Sequence, residues 1–214
     1  MKTNTGIPSG LLAACLVMTG CLVPAPKNEG PCWSCDDQRL VRITPAGGEA
    51  ISARDRPFNH PLSLQKSQWE AVVRSLYVRS IHRPLLGPAY HGMREAAFAE
   101  NGVQYLADAS QHAFQELTAP QRVVFALAKT GEAGLPQLTS GAWFVDHDQI
   151  HLLLANYQVT VTMPSIRNQV WSNPLAAQPG LFYELVPGDH QKILPFAQGG
   201  SASFHSEPTE LAID

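Results

Sequence analysis

The amino-acid sequence predicts an α+β fold in which two main helices pack on one face of an antiparallel sheet. Helical periodicity is concentrated in the first half of the chain, around residues 67–76 and 102–117. The second half contains alternating apolar segments separated by turn residues, which is typical of consecutive strands and hairpins. The sequence shows no sustained internal repeat. These patterns predict a single domain over residues 38–197.

The first predicted elements are a strand over residues 38–44, ended by a turn at 45–48, and a helix that starts at Ser63 or Ser67. Ser67 and Glu70 have the spacing of a capping box, in which two side chains accept hydrogen bonds from backbone donors of the first turn. Residues 77–81 alternate, contain β-branched side chains and predict a strand that stops before Pro84. The apolar face of the helix consists of Trp69, Val72, Val73 and Leu76.

The clearest predicted helix runs from about Gly102 to Leu117, with Asn101 as its N-cap. Its polar positions lie largely on the opposite side, so one face is expected to cover a sheet. His112 belongs to the polar side and is expected to face solvent. The apolar stripe contains Val103, Leu106, Ala107, Ser110, Ala113, Phe114 and Leu117.

The following segments predict the centre of the sheet. Residues 122–129 are apolar on both faces, which favours a central strand covered on both sides. Residues 141–145 and 149–154 flank a polar turn and predict a hairpin. In the second strand of this hairpin the apolar positions change from even to odd numbers beyond Asn156, which predicts a bulge or a break near Asn156.

The C-terminal part is predicted to be less regular. Residues 163–179 read as an irregular loop, residues 181–186 as a strand, and residues 193–196 as a last edge strand. Residues 198–214 are small, polar and acidic, and we expect a disordered tail.

The N-terminal segment has the features of an export signal. Lys2 precedes a short apolar run over residues 11–18, which is too short for a membrane-spanning helix of ~20 residues. The alternative is a buried helix of a cytosolic protein. The run ends in Met18-Thr19-Gly20-Cys21, which resembles the lipobox of bacterial lipoproteins. This resemblance covers residues 1–21 only.

The resemblance implies cleavage before Cys21 and attachment of diacylglycerol and palmitate-like acyl chains to that residue. Cys15 is the alternative lipid site, but the apolar run before it would be very short. Leu22, rather than Asp, follows the cysteine, which in enteric bacteria favours the outer membrane, here on its periplasmic side. Residues 21–37 are then a lipidated, Pro-rich tether, because prolines favour an extended, unpacked chain.

Cys32 and Cys35 form a CxxC motif within this tether. A c-type haem site would need His at the position of Asp36, and zinc would need a second pair of ligands. A structural disulfide fits an oxidising compartment. A periplasmic thiol-redox or metal-binding role remains the alternative, although Asp36 and Asp37 would raise the pKa of a nearby thiol.

No catalytic motif is evident, and no cofactor is expected. The chain lacks a GxSxG nucleophile elbow, a phosphate-binding P-loop and a GxGxxG motif. His147 and His151 are four residues apart, but they flank a predicted turn, so we expect a solvated turn rather than a metal site. The other histidines form no spaced cluster.

Composition narrows the functional classes. Only 15% of the residues are charged and the net charge is −3, which excludes the basic face of a nucleic-acid-binding protein. We therefore expect an envelope lipoprotein that acts as a non-enzymatic binding or assembly module for an envelope protein. The alternatives are the thiol or metal protein that uses Cys32 and Cys35, and an envelope hydrolase that uses the histidines.

Overall fold

The computed structural model describes residues 32–45, 58–119, 121–131, 134–178, 182–194 and 209–214, apart from residues 83 and 85. The predicted cleavage site, Cys21 and most of the tether lie outside these residues. The described parts contain helices α1 (Lys66–Arg74), α2 (Glu100–Glu116) and α3 (Pro164–Ser172). Their strands are β1 (Cys32–Cys35), β2 (Arg39–Pro45), β3 (Tyr77–His82), β4 (Tyr90–His91), β5 (Glu95–Ala96), β6 (Gln121–Thr130), β7 (Pro136–Asp146), β8 (Gln149–Thr160), β9 (Phe182–Val186), β10 (Gln191–Leu194) and β11 (Thr209–Ile213).

The strands form two antiparallel sheets. The main sheet has seven strands in the order β1-β2-β6-β7-β8-β11-β10. In the small sheet β3 is central, with β9 paired along its length and β4 and β5 paired with its two ends. The predicted α+β class with an antiparallel sheet is confirmed at this level.

The main sheet is buried on both faces. On one face, Phe125 and Trp143 pack with Trp69 of α1 and with Leu106 and Phe114 of α2 in one apolar cluster. A second cluster on the other face contains Val124, Ala126, Phe144 and Leu153, with Val170 of α3 and Leu175. The prediction that residues 122–129 form a central strand with two apolar faces is confirmed, because neighbouring residues of β6 belong to different clusters.

Helix α3 corrects the predicted irregular loop over residues 163–179. Pro164 occupies the first turn, where its missing N–H costs nothing, and Val170 is fully buried. Only one residue of α3 is buried, so the segment shows little apolar periodicity in the sequence. The helix also adds a layer that the two-helix prediction lacked.

Strand β11 corrects the predicted disordered tail over residues 198–214. It lies between β8 and β10, and Leu211, Ala212 and Ile213 are buried. Residues 198–208 of the predicted tail lie outside the described residues. The last predicted edge strand is present as β10 and does lie at the edge, but β11 follows it in the chain.

Two boundary predictions are also corrected. The sheet begins at Cys32, inside the segment predicted as tether, because β1 pairs with β2. The helix caps lie elsewhere than predicted: the backbone N–H of Gln65 donates to Gln68 Oε1 at 2.8 Å, and Ala99 is the N-cap of α2. Glu70 instead pairs with Arg74 one turn later, at 3.1 Å. Among the described residues, no helix is long and apolar enough to cross a membrane.

Candidate functional site

Strand β8 is irregular at two successive points. Gly141 of β7 pairs with Leu154, but Ser140 pairs with Asn156, so Ala155 is an extra residue. A second extra residue follows, because Leu138 pairs with Val159. The predicted bulge near Asn156 is therefore confirmed. It keeps both Leu154 and Tyr157 in the cluster under α1 and α2 despite their odd spacing.

The second bulge holds Gln158 in a left-handed backbone conformation, with φ of 49°. Such a conformation costs a residue with a side chain of the order of 1 kcal/mol or more and recurs at functional sites. Its backbone N–H donates to the hydroxyl of Thr139 at 3.2 Å, which replaces a lost ladder bond. Nearby, the hydroxyl of Tyr183 donates to the carbonyl oxygen of Leu154 at 2.9 Å. The irregular backbone is thus satisfied by side chains.

A cavity of about 330 Å³ opens beside this bulge. It lies between the N-terminal turn of α2, the β5 segment and the ends of β6, β7 and β8. Gly102 of α2 lies next to β6, since a Cβ there would be in van der Waals contact with Leu127 Cδ1 at 3.4 Å. The lining residues are Arg39, Glu95, Ala96, Ala97, Phe98, Ala99, Asn101, Gly102, Leu127, Ala128, Lys129, Thr139, Tyr157 and Gln158.

A hydrogen-bonded chain of three side chains forms one wall of the cavity. Gln158 Nε2 donates to the phenol oxygen of Tyr157 at 2.7 Å, and the Tyr157 hydroxyl donates to Glu95 Oε1 at 3.2 Å. Burial and the nearby Glu95 carboxylate raise the pKa of Tyr157. The phenol therefore stays a neutral donor at physiological pH and orients the Glu95 carboxylate.

The charges around the cavity are mixed. Glu95 contributes a carboxylate, whereas Lys129 and Arg39 contribute cations. Arg39 is engaged elsewhere, since its Nη2 pairs with Asp36 Oδ2 at 2.8 Å and its guanidinium lies over the Tyr105 ring. The hydrogen bond from Arg39 lowers the pKa of Asp36. The site therefore offers both hydrogen-bond acceptors and an exposed ammonium group.

A second cavity of about 320 Å³ shares Lys129 and Gln158 with the first. Leu135 supplies an apolar contact there, and Gln137 and Thr160 supply polar ones. The two cavities are neighbours at the ends of β6, β7 and β8, because they share Lys129 and Gln158 in their linings. We refer to the two together as the Gln158 groove.

Asn156, which lies between the two bulges of β8, anchors the loop after α3. The amide of buried Asn156 donates from Nδ2 to Ser140 Oγ at 2.8 Å and to the Ala176 carbonyl at 2.9 Å. Its Oδ1 accepts from the Gln178 backbone N–H at 2.8 Å. The Ser140 hydroxyl donates to the Pro174 carbonyl at 2.6 Å. These bonds make the bulge a rigid support for the groove.

Of the residues singled out from the sequence, Cys32 and Cys35 lie with their sulfur atoms at disulfide-bonding distance, and both are exposed in β1 at the edge of the sheet. His147 and His151 do not form a metal site: His147 is exposed in the turn, and buried His151 lies with Nδ1 2.8 Å from Glu210 Oε1. Within the described ranges, no group of three His, Cys, Asp or Glu residues could hold a metal ion. His112 is exposed, as predicted, and stacks with Trp33.

Sequence reasoning did not identify the groove. Its only signal was the change of phase at Asn156, which predicted the bulge but not the residues brought to it. Glu95 and Tyr157 are 62 residues apart, and no local pattern links them.

Comparison of this chain with known protein families, with curated proteins and with solved structures finds no match.

Proposed function

We propose that this chain is an envelope lipoprotein, anchored through lipid on Cys21, whose domain acts as a non-enzymatic binding module. The Gln158 groove is the binding site, and its occupant is a short extended segment of an envelope protein. The observation that carries this proposal is the left-handed Gln158, because the second bulge places this residue in the lining of both cavities at a cost in backbone energy.

The shape and chemistry of the groove support a peptide rather than a compact metabolite. Two neighbouring cavities, of about 330 Å³ and about 320 Å³, leave room for successive side chains of an extended chain. The lining combines polar groups with the apolar residues Phe98, Leu127 and Leu135. Glu95 and Lys129 provide opposite charges for hydrogen bonds to backbone or side chains of the partner.

Site-specific photo-crosslinking tests the binding site. A photoreactive residue at Lys129 should capture a defined envelope protein, which mass spectrometry of the membrane fraction would identify. The same residue at Gln115, exposed on α2, is the matched control. Equal capture from both positions, or none from Lys129, would contradict the groove as the binding site.

The lipid anchor has a separate test. Cys21→Ser should abolish incorporation of labelled palmitate and shift the protein from the membrane to the soluble periplasmic fraction. The Cys15→Ser variant is the control and should remain lipidated. Palmitate incorporation that survives Cys21→Ser would contradict the assignment of Cys21.

A thiol-redox role for Cys32 and Cys35 is the second candidate, and one observation favours it. Both cysteines are exposed, and the pairing of Asp36 with Arg39 offsets the negative charge that would otherwise disfavour a thiolate. Against it, Cys32 Sγ lies 3.6 Å from the Val41 carbonyl oxygen, which does not stabilise a thiolate.

Rapid alkylation of one reduced cysteine at about pH 6 would favour the redox role. Slow alkylation, with partner capture retained in the variant with both cysteines changed to Ser, would favour a structural disulfide.

A further inference from the structure

The hairpin over residues 82–94 exposes an unusual amount of apolar side chain. Among the described residues, five large hydrophobic side chains are exposed, and three of them belong to this hairpin: Leu86, Tyr90 and Met93. Leu86 is 91% exposed and Met93 is 88% exposed, so neither side chain packs on the domain. These side chains protrude from the fold instead of lining a groove.

The hairpin is held firmly at its base. Ile81 pairs with His91 and His82 with Tyr90, and the His82 and Tyr90 rings stack at 4.8 Å. The backbone N–H of Gly92 donates to the Ser80 carbonyl at 2.8 Å, and a Cβ at Gly92 would collide with Ser80 Oγ. The protruding side chains therefore extend from a fixed support.

The surrounding sequence is basic in an acidic protein. No Asp or Glu occurs between Glu70 and Glu95, although the chain as a whole has net charge −3. Of the 15 lysines and arginines of the chain, four lie in this stretch, namely Arg74, Arg79, Arg83 and Arg94. Arg74 is paired with Glu70 and Glu100. Glu184 of β9 faces this region and pairs with Arg79 and His91, whereas the guanidinium of Arg94 lies 3.7 Å from the centroid of the Tyr77 ring.

We propose that the 82–94 hairpin is a second membrane contact, which inserts Leu86 and Met93 into the interface of a bilayer containing anionic lipid. The protruding aliphatic side chains suit the acyl chains of such an interface, exposed Tyr90 suits the headgroup boundary, and exposed Arg94 suits the anionic headgroups. This inference rests in part on the proposed lipid anchor. At ~3.1 Å per residue, ten residues between Cys21 and the domain span at most about 30 Å, so a domain anchored at Cys21 stays near enough for the hairpin to touch the same bilayer.

Vesicle binding by the full chain carrying Cys21→Ser tests the hairpin without the lipid. This protein should bind vesicles of phosphatidylglycerol and phosphatidylethanolamine, and bind less well in high salt or to phosphatidylcholine alone. Adding Leu86→Ser with Met93→Ser should weaken binding about tenfold, because two exposed side chains no longer enter the interface. Met163→Ser, at a side chain 57% exposed before α3, is the matched control for Met93→Ser and should bind like the parent.

The apolar N-terminal residues, which all variants share, could also bind vesicles. A readout at single positions separates insertion of the hairpin from that binding. Trp fluorescence added by Leu86→Trp should be quenched by brominated acyl chains, whereas that added by Met163→Trp should not. Equal quenching at both positions, or hairpin variants that bind vesicles like the parent, would overturn the proposal. Unchanged vesicle binding with lost capture of an envelope protein would assign the hairpin to a protein partner. Vesicle binding is measured in the absence of lipid on Cys21, and palmitate labelling is measured in the chain that keeps Cys21. Failure of the hairpin and failure of the lipid anchor are therefore distinguishable.

Discussion

At the scale of single residues, substitutions of Gln158 test whether its left-handed backbone conformation lowers the stability of the protein. At most strand positions a protein with Ala is more stable than the same protein with Gly, but at a φ of 49° the order is reversed. We therefore expect Gln158→Gly to be more stable than Gln158→Ala by about 1 kcal/mol, measured by urea unfolding. Both variants should lose crosslinking from Lys129. At Gln149, which lies in ordinary strand conformation, the Ala variant should have the higher free energy of unfolding. A more stable Ala variant at both sites would contradict the interpretation.

Asn156 supports the bulge from the other face. Its buried amide takes part in three hydrogen bonds, with Ser140, Ala176 and Gln178. Replacing it by Ala leaves buried polar groups without partners, so Asn156→Ala should lower the free energy of unfolding by about 3 kcal/mol. Asn101→Ala, at an exposed amide in α2, is the control and should cost under about 1 kcal/mol. A small effect at Asn156 would mean that water replaces the amide.

His60 makes stability depend on pH. Burial lowers the pKa of His60 below its ordinary value, and Nε2 lies 2.9 Å from the Gln121 carbonyl oxygen, to which the neutral ring donates. As the pH falls below about 6.5, His60 therefore binds a proton in the unfolded chain before it does so in the folded protein. The free energy of unfolding falls with pH until the pKa of His60 in the folded protein is reached. His60→Gln should flatten this dependence in urea unfolding at a series of pH values. His112→Gln removes an exposed imidazole, and an equal flattening there would contradict the assignment.

At the scale of elements, α2 is held by its apolar stripe. Phe114 is fully buried, with its ring 4.7 Å from Trp69 and 5.6 Å from His60, centroid to centroid. Phe114→Ala should therefore lower the free energy of unfolding by about 3–5 kcal/mol. Gln115→Ala, on the exposed side of the same helix, should change it by less than about 0.5 kcal/mol. Near-neutral behaviour at Phe114 would show that this face is not core.

Periodicity predicted α2, the 141–154 hairpin and the bulge because each reflects burial on one face of one element. The hairpin turn shows this well: His147 and Asp148 both have positive φ, as a two-residue turn between right-twisted strands requires. Helix ends were predicted less well. Ser67 and Asn101 are good capping residues, but the chain entering each helix is set by packing, and the helices begin before both of them.

At the scale of the whole molecule, β11 completes the main sheet from the C-terminal end of the chain. It fills the space between β8 and β10, and Glu210 pairs with buried His151. Deletion of residues 209–214 exposes the edge of β8 and leaves His151 without its carboxylate. We expect loss of the cooperative thermal transition in calorimetry, whereas deletion of Asp214 alone should preserve it. A cooperative transition at the parent temperature after the longer deletion would show that β11 is dispensable.

The sequence by itself determined the α+β class, the amphipathic α2, the central β6, the hairpin and the position of the bulge, because these depend on which neighbouring residues share a buried face. Tertiary structure decided the rest. It placed β11 in the sheet although its segment is short and follows a polar stretch, and it placed α3 over the second face with only Val170 buried. It also brought Glu95 to Tyr157 and Gln158, since contacts between residues far apart in the chain arise from the packing of whole elements and leave no local pattern.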